Sequence, residues 1–235
     1  MKIILIRHGK PTSAINPKIK ACEYAKWVKR YNASDVSPHS RPTSINTTYK
    51  PFYTLSSDLK RAIHSTAIYS DKKPEKIDKL YREMEIPRYK LPFRLKAWHW
   101  VIVSRVLWML GCKGSFESYK EAKQRADLAA LQLINIAQQQ NNIVLFGHGY
   151  MNLHIRKSLM RKGWLLKSKS NAYWGVTTLV MESSTGSSME VRGSRMRLKR
   201  MRTPKKINVT SCSKGQKAVC CFLYLKHFSK QFFAS

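Results

Sequence analysis

A chain of 235 residues with 43% hydrophobic and 11% aromatic content can bury a substantial core, and one large domain with appendages is expected. Its 44 Lys+Arg against 13 Asp+Glu leave a net charge of +31, which points to anionic partners and says nothing about fold. Five scattered cysteines (Cys22, Cys112, Cys212, Cys220, Cys221) argue against a disulfide-stapled scaffold and fit a reducing, cytoplasmic setting.

The first element in chain order is a strand at residues 3–6, because Ile3-Ile4-Leu5-Ile6 is apolar throughout and fits a parallel strand covered on both faces. The run is too short for a signal-peptide core. Residues 12–50 are rich in Ser, Thr, Asn and Pro and read as an irregular excursion with at most a short helix around residues 22–30. Phe52-Tyr53-Thr54-Leu55 is the next candidate strand. Ser56 and Ser57 are expected to turn it into a helix with Leu59, Ala62, Ile63, Thr66 and Ala67 on its apolar stripe. Arg61 lies off that stripe, so packing gives no reason for it.

Residues 97–112 form an apolar stretch interrupted by His99 and Arg105 and shorter than the roughly 20 residues needed to span a bilayer. It reads as a helix on the core or over a site. Its Trp98, Trp100 and Trp108, with Arg94, Lys96 and Arg105, suit equally a lid over a binding site and a core helix with snorkelling basic residues. A longer helix is expected over residues 118–138, with Ser118 and Glu121 at capping-box spacing and Tyr119, Ala122, Ala126, Ala129, Ala130, Leu133 and Ala137 on one face. A second buried strand, Ile143-Val144-Leu145-Phe146, follows Asn141-Asn142. A helix then runs from Gly149 to near Gly163 with Met151, Ile155 and Leu159 inward, and a last strand is expected over residues 176–181. Trp174 lies just before that strand, where it either packs or reaches the mouth of a site.

Strands alternating with helices indicate an α/β fold: a three-layer α/β/α sandwich with a mainly parallel central sheet over residues 1–182. Residues 84–117 would form a helical insertion, or lid. Residues 183–235 open with Ser183-Ser184-Thr185-Gly186-Ser187-Ser188 and carry twelve Lys+Arg against one acid, Glu190; they read as a basic, solvated extension.

In open α/β sheets ligands bind beyond the carboxyl ends of the strands. There the sequence places Arg7-His8-Gly9 after the first strand, Gly147-His148-Gly149 after the later one, and Arg61 early in the helix that follows the Phe52 strand. Glycines beside a histidine leave room for close approach of an oxyanion, and guanidinium groups suit phosphate by donating bidentate hydrogen bonds at any ordinary pH. The Gly147-His148-Gly149 turn lacks the third glycine and downstream acid of a dinucleotide fingerprint, and there is no P-loop, nucleophile elbow or zinc spacing.

Leu5-Ile6-Arg7-His8-Gly9 resembles the signature of the histidine phosphatase superfamily, also called phosphoglycerate mutase-like. Ser56-Ser57-Asp58-Leu59-Lys60-Arg61-Ala62 resembles that family's second arginine motif, Leu80-Tyr81-Arg82-Glu83 its acid motif, and Leu145-Phe146-Gly147-His148-Gly149 its second histidine motif. The resemblance spans roughly residues 1–182. It implies a phosphoglycerate mutase-like sheet and a phosphoric monoester hydrolase in which His8 is transiently phosphorylated. Arg7, Arg61, His148 and Gly149 would hold the phosphoryl group, and Glu83 would protonate the leaving group, without metal or cofactor. Glu85, two residues on, is the competing acid. Lys10 and Pro11 depart from the family pattern after Arg-His-Gly, and Asn16 is a loose candidate for its downstream phosphate-binding asparagine. A phosphorylated small molecule is the implied substrate. The alternatives are a phosphatase of protein phosphohistidine and a non-catalytic protein that binds nucleic acid or another polyanion, the latter through its basic tail.

Overall fold

A computed structural model describes residues 1–182. The basic extension at 183–235, and with it Cys212, Cys220 and Cys221, lies outside the described residues. Six strands form one sheet in the order β4-β3-β6-β1-β8-β7: β1 (Lys2–Arg7), β3 (Tyr53–Ser57), β4 (Lys76–Asp78), β6 (Asn142–Gly147), β7 (Leu165–Ser168) and β8 (Val176–Val180). The β4-β3-β6-β1 run is parallel, and β8 pairs antiparallel with both β1 and β7.

The strand reading holds because the apolar runs are covered on both sides. Ile3, Leu5, Ile143 and Leu145 meet helices α4 (Tyr119–Gln140) and α5 (Gly149–Arg161), while Ile4, Ile6, Val144 and Phe146 pack with Phe52, Tyr69 and Trp174 on the opposite face, where α2 (Lys60–Ser70) lies. This is the expected α/β/α layering. In α4 the alanine stripe is buried at Ala122, Ala126, Ala129, Ala130, Leu133 and Ala137, and small side chains let the helix lie close to the sheet. Its N-terminus carries the expected capping box: Glu121 N donates to Ser118 Oγ at 3.2 Å and Ser118 N to Glu121 Oε2 at 2.8 Å. Helix α5 buries Met151, Ile155 and Leu159 as its periodicity requires.

Three expectations need correction. Ser56 and Ser57 do not open α2; both are buried in β3, and the helix begins at Lys60. The buried face of α2 is Arg61, Ala62, Ser65, Thr66, Tyr69 and Ser70, with Ala67 exposed, so Arg61 belongs to the packed face and does not lie beside it.

Residues 12–50 are more regular than their polar composition suggests. They hold β2 (Lys18–Lys20) and the 13-residue α1 (Ala21–Ala33). β2 pairs antiparallel with β5 (Arg94–Lys96), and α1 packs against α3 (Ala97–Met109). Tyr24, Trp27, Val28, Tyr31, Ala97 and Trp100 make a separate small core there. The insertion expected at 84–117 is therefore half of a two-segment substructure. Trp100 and Trp108 are buried within packed clusters, which favours the packing reading of α3. No helix among the described residues is long and apolar enough to cross a membrane.

Candidate active site

The parallel strands β3, β6 and β1 deliver their carboxyl ends side by side. Arg7 is opposite Gly147 and Ser56 opposite Phe146, so Ser57, His148 and His8 emerge together where α2 and α5 begin. His8 N donates to Gly147 O at 3.1 Å and fastens the two turns to each other. The His8 and His148 ring centroids are 5.0 Å apart, and Arg61, in the first turn of α2, donates from Nε to His8 Nε2 at 3.1 Å. His8 is 1% exposed, Arg61 and His148 0%.

These contacts fix the state of His8. Its Nδ1 lies 2.7 Å from the carbonyl oxygen of Gly9, which can only accept, so Nδ1 carries the proton and Nε2 keeps its lone pair. Burial, and then the charges of Arg61 and Arg7, hold the imidazole well below its ordinary pKa. His148 is held low in the same way, by burial first and then by Arg61, His8 and Arg7. The ring at position 8 is thus held neutral, with the Nε2 lone pair accepting from Arg61 Nε.

Donors without partners gather around this pair. Arg61 Nη1 donates to Tyr31 O and Asn32 O, both at 3.1 Å at the end of α1, while its Nη2 is buried and unpartnered among the described residues. Arg7 Nη1 donates to Asn171 O at 2.6 Å and its guanidinium lies 4.1 Å over the Tyr173 ring, but its Nε is buried without a partner. Ser57 Oγ sits 2.8 Å from His148 Nε2 and already accepts from Leu59 N. With Ser57 on its Nε2, the His148 ring presents an Nδ1 that is buried and unpartnered among the described residues. Buried donors of this kind cost roughly 1–3 kcal/mol each unless an acceptor reaches them, and a tetrahedral oxyanion presents several acceptors at once. A Cβ on Gly149 would lie 3.1 Å from Arg7 Nε, so glycine is what lets the start of α5 come this close.

The two candidate carboxylates separate. Glu83 Oε1 accepts from Met151 N at 2.9 Å and from Met84 N at 3.0 Å, and its Oε2 lies 3.4 Å from Tyr150 N, which places the carboxylate on the first turn of α5, beside His148. Its charge acts on Arg61 and on Arg105. Glu85 instead accepts from Glu117 N at 2.8 Å, away from this turn. Extended alternation does not point the two carboxylates the same way, because each is captured by a different backbone amide.

Other candidates lie elsewhere. Asn16 Oδ1 accepts from Trp98 N at the start of α3 and serves that helix end. Lys10 N donates to Ser40 Oγ, and Pro11 bridges to Val36. Trp174, at φ 62°, packs: a Cβ on Gly9 would meet its ring at 2.4 Å, and its Nε1 donates to Ser40 Oγ. Ser57, Tyr173 and Asn171 were not singled out from sequence. Ser57 lies inside the second arginine motif and was legible there, whereas nothing local marks the other two.

No protein-family model matches the chain, and no curated protein does. Among solved structures it is similar to a mutant phosphoserine phosphatase from Entamoeba histolytica in complex with phosphoserine, with 17% identity, 77% of this chain and 91% of that one covered and a TM-score of 0.46. It is also similar to the alpha-ribazole phosphatase from Shigella flexneri (18% identity, 67% and 79% covered, TM-score 0.39). A third is the open reading frame Rv3214 from Mycobacterium tuberculosis (14% identity, 66% and 77% covered, TM-score 0.42).

Proposed function

We propose that the protein is a phosphatase that hydrolyses a phosphomonoester of a small molecule through a phosphohistidine on His8. The observation that carries this is the state of His8: a buried neutral ring with its Nε2 lone pair among the donors of Arg61, Arg7 and His148. Phosphoryl transfer needs a positioned nucleophile and charge stabilisation around the equatorial oxygens, and these groups supply both.

In this reading Arg61 Nε leaves His8 Nε2 for a phosphoryl oxygen, and Arg7, His148 and the backbone at Gly149 take the others. The lone pair on Nε2 forms the P–N bond as the P–O ester bond breaks, and protonated Glu83 gives its proton to the departing alkoxide. Water then attacks phosphorus and passes a proton back to Glu83. The P–N bond breaks, and inorganic phosphate leaves. Because His8 is almost wholly enclosed, substrate enters only when covering residues move, and Tyr173, stacked on Arg7 and 5.8 Å from the His8 ring, is one of these.

The test is phosphate release from an aryl phosphate without added metal. His8→Ala abolishes it, and the wild type yields an acid-labile phosphoenzyme that the variant does not. Undiminished turnover by His8→Ala ends the proposal. The net charge of +31 favours a second reading, a non-catalytic binder of nucleic acid or another polyanion. That reading requires steeply salt-dependent binding that His8→Ala leaves intact, with no turnover by the wild type. Phosphohistidine on a protein is a third substrate class. The enclosure of His8, with the end of α1 on Arg61, favours a small molecule, and a panel of phosphoprotein, sugar phosphates and nucleotides separates them.

A further inference from the structure

Arg125, on α4, is not part of any motif in the sequence, yet its guanidinium is used on every side. Nε and Nη2 grip the Glu117 carboxylate at 2.7 and 2.8 Å. Nη1 donates to Arg82 O at 2.8 Å and Leu80 O at 3.2 Å, and it touches Met151 Sδ at 3.8 Å. Nη2 also reaches Glu83 O at 3.4 Å. The chain at 80–83 leaves a 3₁₀ turn (Lys79–Tyr81) and runs on without a strand partner, so these carbonyls lack ladder bonds and take Arg125 instead. A planar fork that holds a carboxylate with one edge and backbone carbonyls with the other is a task for arginine, and lysine offers only one point of attachment.

The segment so gripped ends in Glu83, whose carboxylate is held on its other side by the amides of Met151 and Tyr150. Met151 is common to both holds. Glu117 in turn accepts at its backbone oxygen from Trp108 Nε1 at 2.6 Å, so the same cluster ties α3 to the segment that carries the acid.

We propose that Arg125 is a positioning residue that sets the Glu83 carboxylate for proton transfer, with Glu117 holding Arg125 in place. This rests on Glu83 being the proton donor. Proton donation matters where the leaving alkoxide is a poor one and hardly at all where the leaving group is an activated phenolate, so the two roles have a readable signature. A donor displaced by about an ångström costs on the order of 100-fold.

The experiment compares kcat/KM, which reports ester cleavage and not the later hydrolysis of the phosphoenzyme, for wild type, Glu83→Gln, Arg125→Met, Arg125→Lys and the Glu83→Gln/Arg125→Met double variant on a nitrophenyl phosphate and on an alkyl phosphate. Thermal melts establish that each variant is folded. Arg125→Met is expected to lose about 10- to 100-fold on the alkyl ester and only a few-fold on the nitrophenyl ester. Glu83→Gln shares that selectivity, the double variant is no worse than Glu83→Gln, and Arg125→Lys falls between. If Glu83→Gln is selective while folded Arg125→Met or Arg125→Lys loses equally on both esters, or loses nothing, the role of Arg125 is refuted and that of Glu83 stands. If Glu83→Gln is itself unselective, both fall. Should Arg125→Met not fold, Arg125→Lys decides by the same criterion.

Discussion

His154 offers a test of the electrostatics independent of catalysis. It lies on α5, is 8% exposed, and its ring packs between Tyr119 and Tyr150 at centroid distances of 5.8 and 5.0 Å. Burial is the main influence on its ring, and the charges of Lys157, Lys123, Arg105 and Arg161, all cationic, add to it. Together they lower its pKa from 6.5 to about 4. A histidine whose folded pKa is depressed stays neutral where the unfolded chain takes up a proton. The unfolded state therefore binds more protons between pH 6.5 and about 4, and stability falls as pH drops through that window. The depression of 6.5 − 4 = 2.5 units corresponds to roughly 3 kcal/mol in full, and about 2 kcal/mol of it is lost by about pH 5. Replacing His154 with Gln removes the titrating group. Urea unfolding of both proteins at about pH 7.5 and about pH 5 gives four free energies, and the wild type should lose about 2 kcal/mol more between the two conditions than His154→Gln does. Carboxylates titrating over the same range cancel in that comparison. An identical loss in both proteins would refute the argument that a buried ring among cations resists protonation here.

Three further outcomes follow from the same structure. Because burial and arginine charges hold His8 and His148 well below their ordinary pKa, kcat/KM should not fall through a histidine titration near pH 6.5, and a pH–rate profile with a step there would contradict the neutral assignment. Gly9→Ala sets a methyl 2.4 Å from Trp174 Cζ2 and 2.8 Å from Val36 Cγ1; it should cost about 1–3 kcal/mol in chemical denaturation and reduce turnover by displacing the turn that follows His8. Ser118→Ala breaks the capping box of α4 and should cost about 1 kcal/mol with activity unchanged below its melting range, as melting curves and turnover measured on one preparation would show.

Much of this protein follows from local sequence, for identifiable physical reasons. Uniform apolar runs such as Ile3-Ile4-Leu5-Ile6 fit only a strand covered on both faces, and the alanine stripe of α4 with its Ser118/Glu121 cap defines one helix face and one end. Arg7, His8, Arg61 and His148 could be singled out because they fall at strand ends and at the start of a helix, where an α/β sheet binds its ligands. What local pattern could not give was partnership. Strands β2 and β5 are three residues each and carry charged ends; nothing in either identifies the other, and their pairing turns a polar excursion and an insertion into one substructure. Where the Glu83 and Glu85 carboxylates lie depends on which backbone amide, 68 or 32 residues further on, reaches each of them. Tyr173 and Asn171 meet Arg7 only because β8 runs antiparallel beside β1 and brings the loop before it over the strand's end. Burial and periodicity act within a few residues, so the central strands, the long helices and the candidate positions were legible locally. Which of those residues meet is a property of the folded chain, because hydrogen bonds between distant carbonyls, amides and guanidinium groups exist only once the sheet has set its order and register.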